Sequence, residues 1–199
     1  FYDPEQVFFY LYGEKPYTFW LDSSRVEAGL SRFSFMGASD EILAYDLRAQ
    51  KLTVTQAGQS KALDESIFDY LDRELTRMAV ASPELPFDLN AGFVGYFGYE
   101  MKAECGGEQK HSAPLPDASF LFADRLIAFD HLEMVTYLVA LVKEDDAGEW
   151  FDGVEEKLKV LPALPPVDIM LPAKTPLEFS VHQAHAEYIA DIQQVKEYL

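Results

Sequence analysis

Five prolines, Pro162, Pro165, Pro166, Pro172 and Pro176, crowd the stretch 162–176. Proline fixes φ and has no backbone N–H, so this stretch forms neither a helix interior nor a central strand. It divides the chain into a body over 1–161, a linker over 162–176 and a last piece over 177–199. In that piece Tyr188, Ile189, Ile192, Val195 and Leu199 mark an amphipathic helix that reaches the final residue without a stop signal. The pattern points to a chain cut as a further domain begins.

The body alternates β-type runs with two helical stripes. Val7 to Leu11 and Tyr17 to Asp22 are rich in aromatic and β-branched residues, and Glu14-Lys15-Pro16 separates them, so both read as strands. Arg32 to Ala38 reads as a third strand, and Ile42 to Tyr45 with Leu52 to Thr55 as a hairpin. Leu63, Ile67, Leu71, Leu75 and Met78 predict a helix over about 63–78, with Asp69 and Arg73 four apart on it and Ser82-Pro83 beyond it. Ala91 to Tyr99, with Gly92, Gly95 and Gly98, predicts a buried strand closely approached by another backbone. Ala103 to Pro116 reads as a loop. Ser119 to Phe129 and Met134 to Val142 read as two strands joined around His131, and Trp150, Val154, Leu158 and Leu161 mark a second helix. Strands, one long helix, then more strands and a helix predict an α+β fold: mostly antiparallel β-sheets packed with a few helices.

The charge excludes some partners. Thirty-four acidic and 16 basic side chains give a net charge of -18. Such a chain repels phosphate backbones and anionic membranes, so neither nucleic acid nor membrane is an expected partner. No apolar run approaches the ~18 residues of a transmembrane helix. Cys105 has no second cysteine to pair with, which suits a reducing, cytoplasmic setting.

Few residues invite chemistry. The glycine triplet lacks the spacing of a dinucleotide loop. Cys105 has no base that the sequence places beside it. His182 and His185 lack a third ligand, so no metal is expected in this chain. No catalytic constellation emerges. Two segments stand out: Leu21-Asp22-Ser23-Ser24-Arg25 and Ser31-Arg32-Phe33-Ser34-Phe35. Trp20, Phe33 and Phe35 offer aromatic walls, and the serines with Arg32 offer polar ends, a mixture suited to an aromatic amino acid. A capped turn beside a core strand accounts for the same residues.

These segments, with Gly29 to Gly37 and with Gly92-Phe93-Val94-Gly95-Tyr96-Phe97-Gly98-Tyr99-Glu100-Met101-Lys102, resemble the N-terminal half of the component I family of aminodeoxychorismate and anthranilate synthases. Cys105-Gly106-Gly107, Pro116-Asp117-Ala118 and Phe122-Ala123-Asp124-Arg125 fit the same order. Leu21-Asp22-Ser23, where anthranilate synthases usually carry Leu-Glu-Ser, leans toward the aminodeoxychorismate branch. The resemblance implies a protein that aminates chorismate to 4-amino-4-deoxychorismate on the way to p-aminobenzoate and folate. It implies ammonia from a glutamine amidotransferase, separate or fused, and magnesium in a catalytic domain beyond this chain. It also implies an L-tryptophan site at Leu21, Asp22, Ser23, Ser31, Arg32, Phe33 and Ser34. No catalytic residue of the family falls within 1–199, and Lys174 is a linker residue, so the chain by itself should be inactive. Two alternatives stay open: another chorismate-using synthase, either an anthranilate synthase component I whose tryptophan site is for feedback or an isochorismate synthase, and a non-catalytic binding or scaffold domain.

Overall fold

The computed structural model describes residues 1–23, 25–27, 30–81, 83–142, 147–164 and 180–198. The chain divides into two units, Phe1–Leu164 and Pro165–Leu199. Residues 165–179, which take in most of the linker and Lys174, lie outside the described residues, as do Ser24, Gly29, Ser82 and Leu199.

The first unit begins with a correction. The apolar run expected as a strand over Val7 to Leu11 is helix α1, Pro4–Tyr12. Asp3 caps it by accepting from the Gln6 N–H at 3.0 Å, and Pro4 sits where its missing N–H costs nothing. The strands are β1 (Thr18–Leu21), β2 (Phe33–Ala38), β3 (Glu41–Asp46), β4 (Lys51–Gln56), β5 (Gln59–Leu63), β6 (Gly92–Phe97), β7 (Ala118–Ala123), β8 (Arg125–Asp130) and β9 (Val135–Ala140). They form two antiparallel sheets, ordered β1-β2-β8-β9 and β5-β4-β3-β7-β6.

The helix expected from Leu63 starts four residues later. Helix α2 is Ile67–Arg77, capped by Ser66, because Leu63 is taken by β5, paired with Leu52. Arg73 on α2 pairs with Glu65 and Glu74 rather than with Asp69. Helix α3, Ala147–Lys159, buries Val154 and Leu158 as its stripe predicts. The single strand expected over Ser119 to Phe129 is broken at Asp124, and its halves, β7 and β8, lie in different sheets. The loop expected from Ala103 begins inside a 3₁₀ helix, Tyr99–Cys105.

Strand alternation then sorts the apolar residues into three layers. Met36, Ile127 and Phe129 face α1 and α3, meeting Val7 and Val154. Phe19, Leu126 and Ala128 face the second sheet, with Ala123, Leu121 and Phe87. Leu43, Tyr45, Leu52 and Phe120 face α2 and the 3₁₀ helix, meeting Ile67, Tyr70 and Met101. The result is a helix–sheet–sheet–helix sandwich. Each fully buried aliphatic or aromatic side chain contributes about 2 kcal/mol.

The chain changes sheets twice, from β2 to β3 and from β7 to β8. Ser39 ties the two crossings together: its buried hydroxyl donates to the Phe122 carbonyl at 2.7 Å and accepts from the Glu41 N–H at 3.0 Å. The close approach expected around the glycine triplet is present at Gly95, where a Cβ would lie 2.0 Å from the Ser119 carbonyl oxygen. Its expected burial is not: β6 is an edge strand, and its end, Gly95 to Phe97, is exposed.

In the second unit, helix α4 (His185–Tyr198) exposes Tyr188, Ile189, Ile192 and Val195. Among the described residues no helix is long and apolar enough to cross a membrane.

Candidate functional site

β1 pairs with β2 so that Leu21 stands opposite Phe35. Beyond Leu21 the chain turns away from the sheet but remains tied to β2. The Ser23 hydroxyl donates to the Phe33 carbonyl at 2.6 Å, and the Ser23 N–H donates to Ser34 Oγ at 2.9 Å. The returning segment closes on itself: Glu27 and Ser31 exchange both backbone bonds, and the Ser31 hydroxyl donates to the Arg25 carbonyl.

Ser34 is fully buried, with Asp22 Oδ1 at 3.0 Å and His131 Nε2 at 2.7 Å from its oxygen. A hydroxyl has one proton to give. The Asp22 carboxylate can only accept, so it takes that proton, and Ser34 accepts from both Ser23 N–H and His131. His131 therefore carries its proton on Nε2. This is a Ser-His-Asp trio with a direction unsuited to nucleophilic attack, because the histidine donates to the serine rather than drawing its proton.

Arg32 has a different commitment. Its Nε and Nη2 donate to the two oxygens of Asp130 at 2.9 and 2.5 Å. Asp130 is buried at the end of β8 and also accepts from the N–H groups of Leu132 and Glu133. The Arg32 bonds, helped by those N–H groups, outweigh burial and hold its carboxyl down at about 2. The same pairing raises Arg32. The guanidinium also lies 4.9 Å over the Phe33 ring. Arg32 thus closes the end of the β2–β8 pair.

The seven predicted residues share one end of the first sheet but not one wall. Phe33, like its neighbour Phe35, packs against Phe87 in the layer between the sheets, while Ser34 faces the opposite side. The alternation of β2 separates them. Trp20 also points away from Phe33, stacking on Phe8 of α1 at 5.1 Å. Leu21 lines a cleft of about 490 Å³ where the open edges of the two sheets face each other, β1 on one side and β6 on the other. Phe19, Val94 and Leu121 belong to its apolar lining, and Asp22, exposed, follows Leu21 in the chain. The cleft can take a flat apolar group between the sheets.

Sequence reasoning missed Asp130 and His131. Their partners are 98 and 97 residues away along the chain, so the β2–β8 register alone brings them in. Cys105 is exposed at the end of the 3₁₀ helix, and His182 precedes α4. Among the described residues no three His, Cys, Asp or Glu side chains group to hold a metal ion.

The sequence pattern of the chorismate binding enzyme family matches residues 13–199. The chain belongs to that family. The chain is 37% identical over 196 residues to an aminodeoxychorismate synthase of Streptomyces pristinaespiralis, a match that covers 92% of the chain and 27% of the relative. Anthranilate synthase component 1 of Haloferax volcanii is 28% identical over 184 residues, covering 85% of the chain and 35% of the relative. The chain thus spans about a quarter to a third of the length of these relatives. A crystal structure of anthranilate synthase component I from Streptococcus pneumoniae matches it with a TM-score of 0.52 at 21% identity, over 87% of this chain and 39% of that one. That likeness establishes the shared fold: the two antiparallel sheets and their helices are part of the anthranilate synthase component I architecture.

Proposed function

We propose that this chain is the sandwich-bearing part of an aminodeoxychorismate synthase, which aminates chorismate to 4-amino-4-deoxychorismate for p-aminobenzoate and folate synthesis. One observation carries the reading: 37% identity to a protein of that name over nearly the whole chain, against 28% to an anthranilate synthase component 1. The chemistry belongs to a longer protein. In this reading magnesium binds with chorismate in a catalytic part outside this chain. The exposed apolar stripe of α4 supports further protein covering it. A glutamine amidotransferase, fused or separate, supplies ammonia, and the setting is cytoplasmic, in keeping with a lone exposed cysteine.

Within that protein the sandwich holds L-tryptophan. Its indole enters the cleft between β1 and β6 beside Leu21, and its ammonium meets Asp22. Ser23, Ser31, Arg32, Phe33 and Ser34 shape the loop and strand that hold those two in place. The support is the cleft itself and the bonds that fix its rim.

The test is genetic. The full-length gene should restore growth of a bacterium that requires p-aminobenzoate because its aminodeoxychorismate synthase is deleted. Rescue of a tryptophan-requiring strain lacking anthranilate synthase, and not of the first, would move the protein to the anthranilate branch and make the cleft a feedback site.

A further inference from the structure

A second cavity, of about 510 Å³, opens on the far side of the first sheet, where the sheet crossings meet the end of α1 and the flank of α3. Three cations line it: Lys15 after α1, Arg125 at the start of β8 and Lys157 on α3. None of them enters an ion pair among the described residues. Arg125 Nε is buried without a hydrogen-bond partner. A chain with 34 carboxylates and only 16 basic groups has acids to spare, and buried guanidinium N–H groups are normally satisfied. Lys15 and Lys157 are exposed, so it is the buried, unpartnered Arg125 Nε that calls for an acceptor, with the two lysines adding positive charge beside it.

The same wall carries partly buried carboxylates. Glu41 and Asp124 come from the two crossings, and neither forms an ion pair among the described residues. Burial pushes both carboxyl groups up, and Arg77 for Glu41 and Arg125 for Asp124 offset it only in part. Two exposed acids, Asp40 and Glu149, complete the charged lining. A simple anion would face these four acids, and a simple cation the three bases. A molecule with both signs satisfies both sets. Tyr12 and Trp150 add aromatic surface to the wall.

We propose that this cavity binds a free amino acid with an apolar side chain, its carboxylate on Arg125, Lys15 and Lys157, its ammonium on Glu41 and Asp124, and its side chain against Tyr12 and Trp150. The site shares no residue with the Leu21 to Ser34 segment, and its occupant would sense the α1–α3 face rather than the cleft between the sheets.

Calorimetric titration of the full-length protein with L-phenylalanine tests it. Saturable binding is expected below about 10 mM, weakened about tenfold or more in N-acetyl-L-phenylalanine, which lacks the ammonium, and in phenethylamine, which lacks the carboxylate. Arg125→Gln should weaken L-phenylalanine by about tenfold, and Lys157→Ala, on the helix surface, by a smaller factor. Circular dichroism of both variants checks that they fold. Either analogue binding as tightly as L-phenylalanine would overturn the zwitterion assignment. Absence of saturation in the unmodified protein, or loss of binding in Leu21→Asp with Arg125→Gln unaffected, would overturn the site.

Discussion

At the scale of single residues, the Arg32–Asp130 pair decides most. Asp130 is fully buried and takes four hydrogen bonds, two of them from Arg32. Removing Arg32 leaves a buried carboxylate short of its cation, so Arg32→Ala should lower the urea unfolding midpoint. The pH dependence follows in sign. Asp130 titrates at about 2 when folded, and an unfolded aspartate near 4. Its contribution is thus complete above about pH 4 and lost as pH falls toward 2. The stability gap between the parent and Arg32→Gln should narrow over that range, and a gap constant from pH 6 to pH 2 would contradict the pairing. Gly95 is the other decisive position. A methyl group there would collide with the Ser119 carbonyl, so Gly95→Ala should cost about 3 kcal/mol and loosen β6 from β7, seen as faster amide exchange in both strands. The glycine was legible in the sequence as a close approach. Arg32 was legible only as a ligand contact, because its partner lies across a strand pairing that no local pattern shows.

At the scale of elements, periodicity served where one pattern stood alone. The α3 stripe is where spacing puts it, and the β3–β4 hairpin joins the two expected runs. It failed where two signals competed. Phe8, Phe9 and Tyr10 favour a strand by composition, but Asp3 and Pro4 start a helix, and the burial of Val7 and Tyr12 against Met36 and Phe129 keeps it. The strand β5 is polar, exposed over Gln59 to Ala62, and carries no apolar alternation to find. The break at Asp124 was hidden because β7 and β8 are both apolar, and only their membership of different sheets separates them. That crossing rests on Ser39. Ser39→Ala would leave the Glu41 N–H without its acceptor and should cost about 1–2 kcal/mol by thermal or chemical unfolding, with no effect expected from Ser60→Ala on the exposed β5 edge.

At the scale of the whole molecule, the sandwich serves in the proposed reading to hold a ligand. The fold class was readable from the order of strands and helices, and the family from the order of short motifs across the chain. The shape of the cleft was not, since β1 and β6 meet as edges of two sheets whose strands are interleaved in sequence. If the cleft holds tryptophan, filling it with charge should expel the ligand without unfolding the sandwich. Leu21→Asp, at a half-exposed position, should lower tryptophan affinity at least about tenfold in calorimetry on the full-length protein while changing stability by less than about 1 kcal/mol.

The most direct measurement is on the product. The full-length protein is incubated with chorismate, magnesium and ammonium, and the mixture is separated by chromatography with and without aminodeoxychorismate lyase. The account predicts a product that becomes p-aminobenzoate only when the lyase is present. Anthranilate formed without the lyase, or unchanged chorismate with a folded, magnesium-loaded protein, would contradict it.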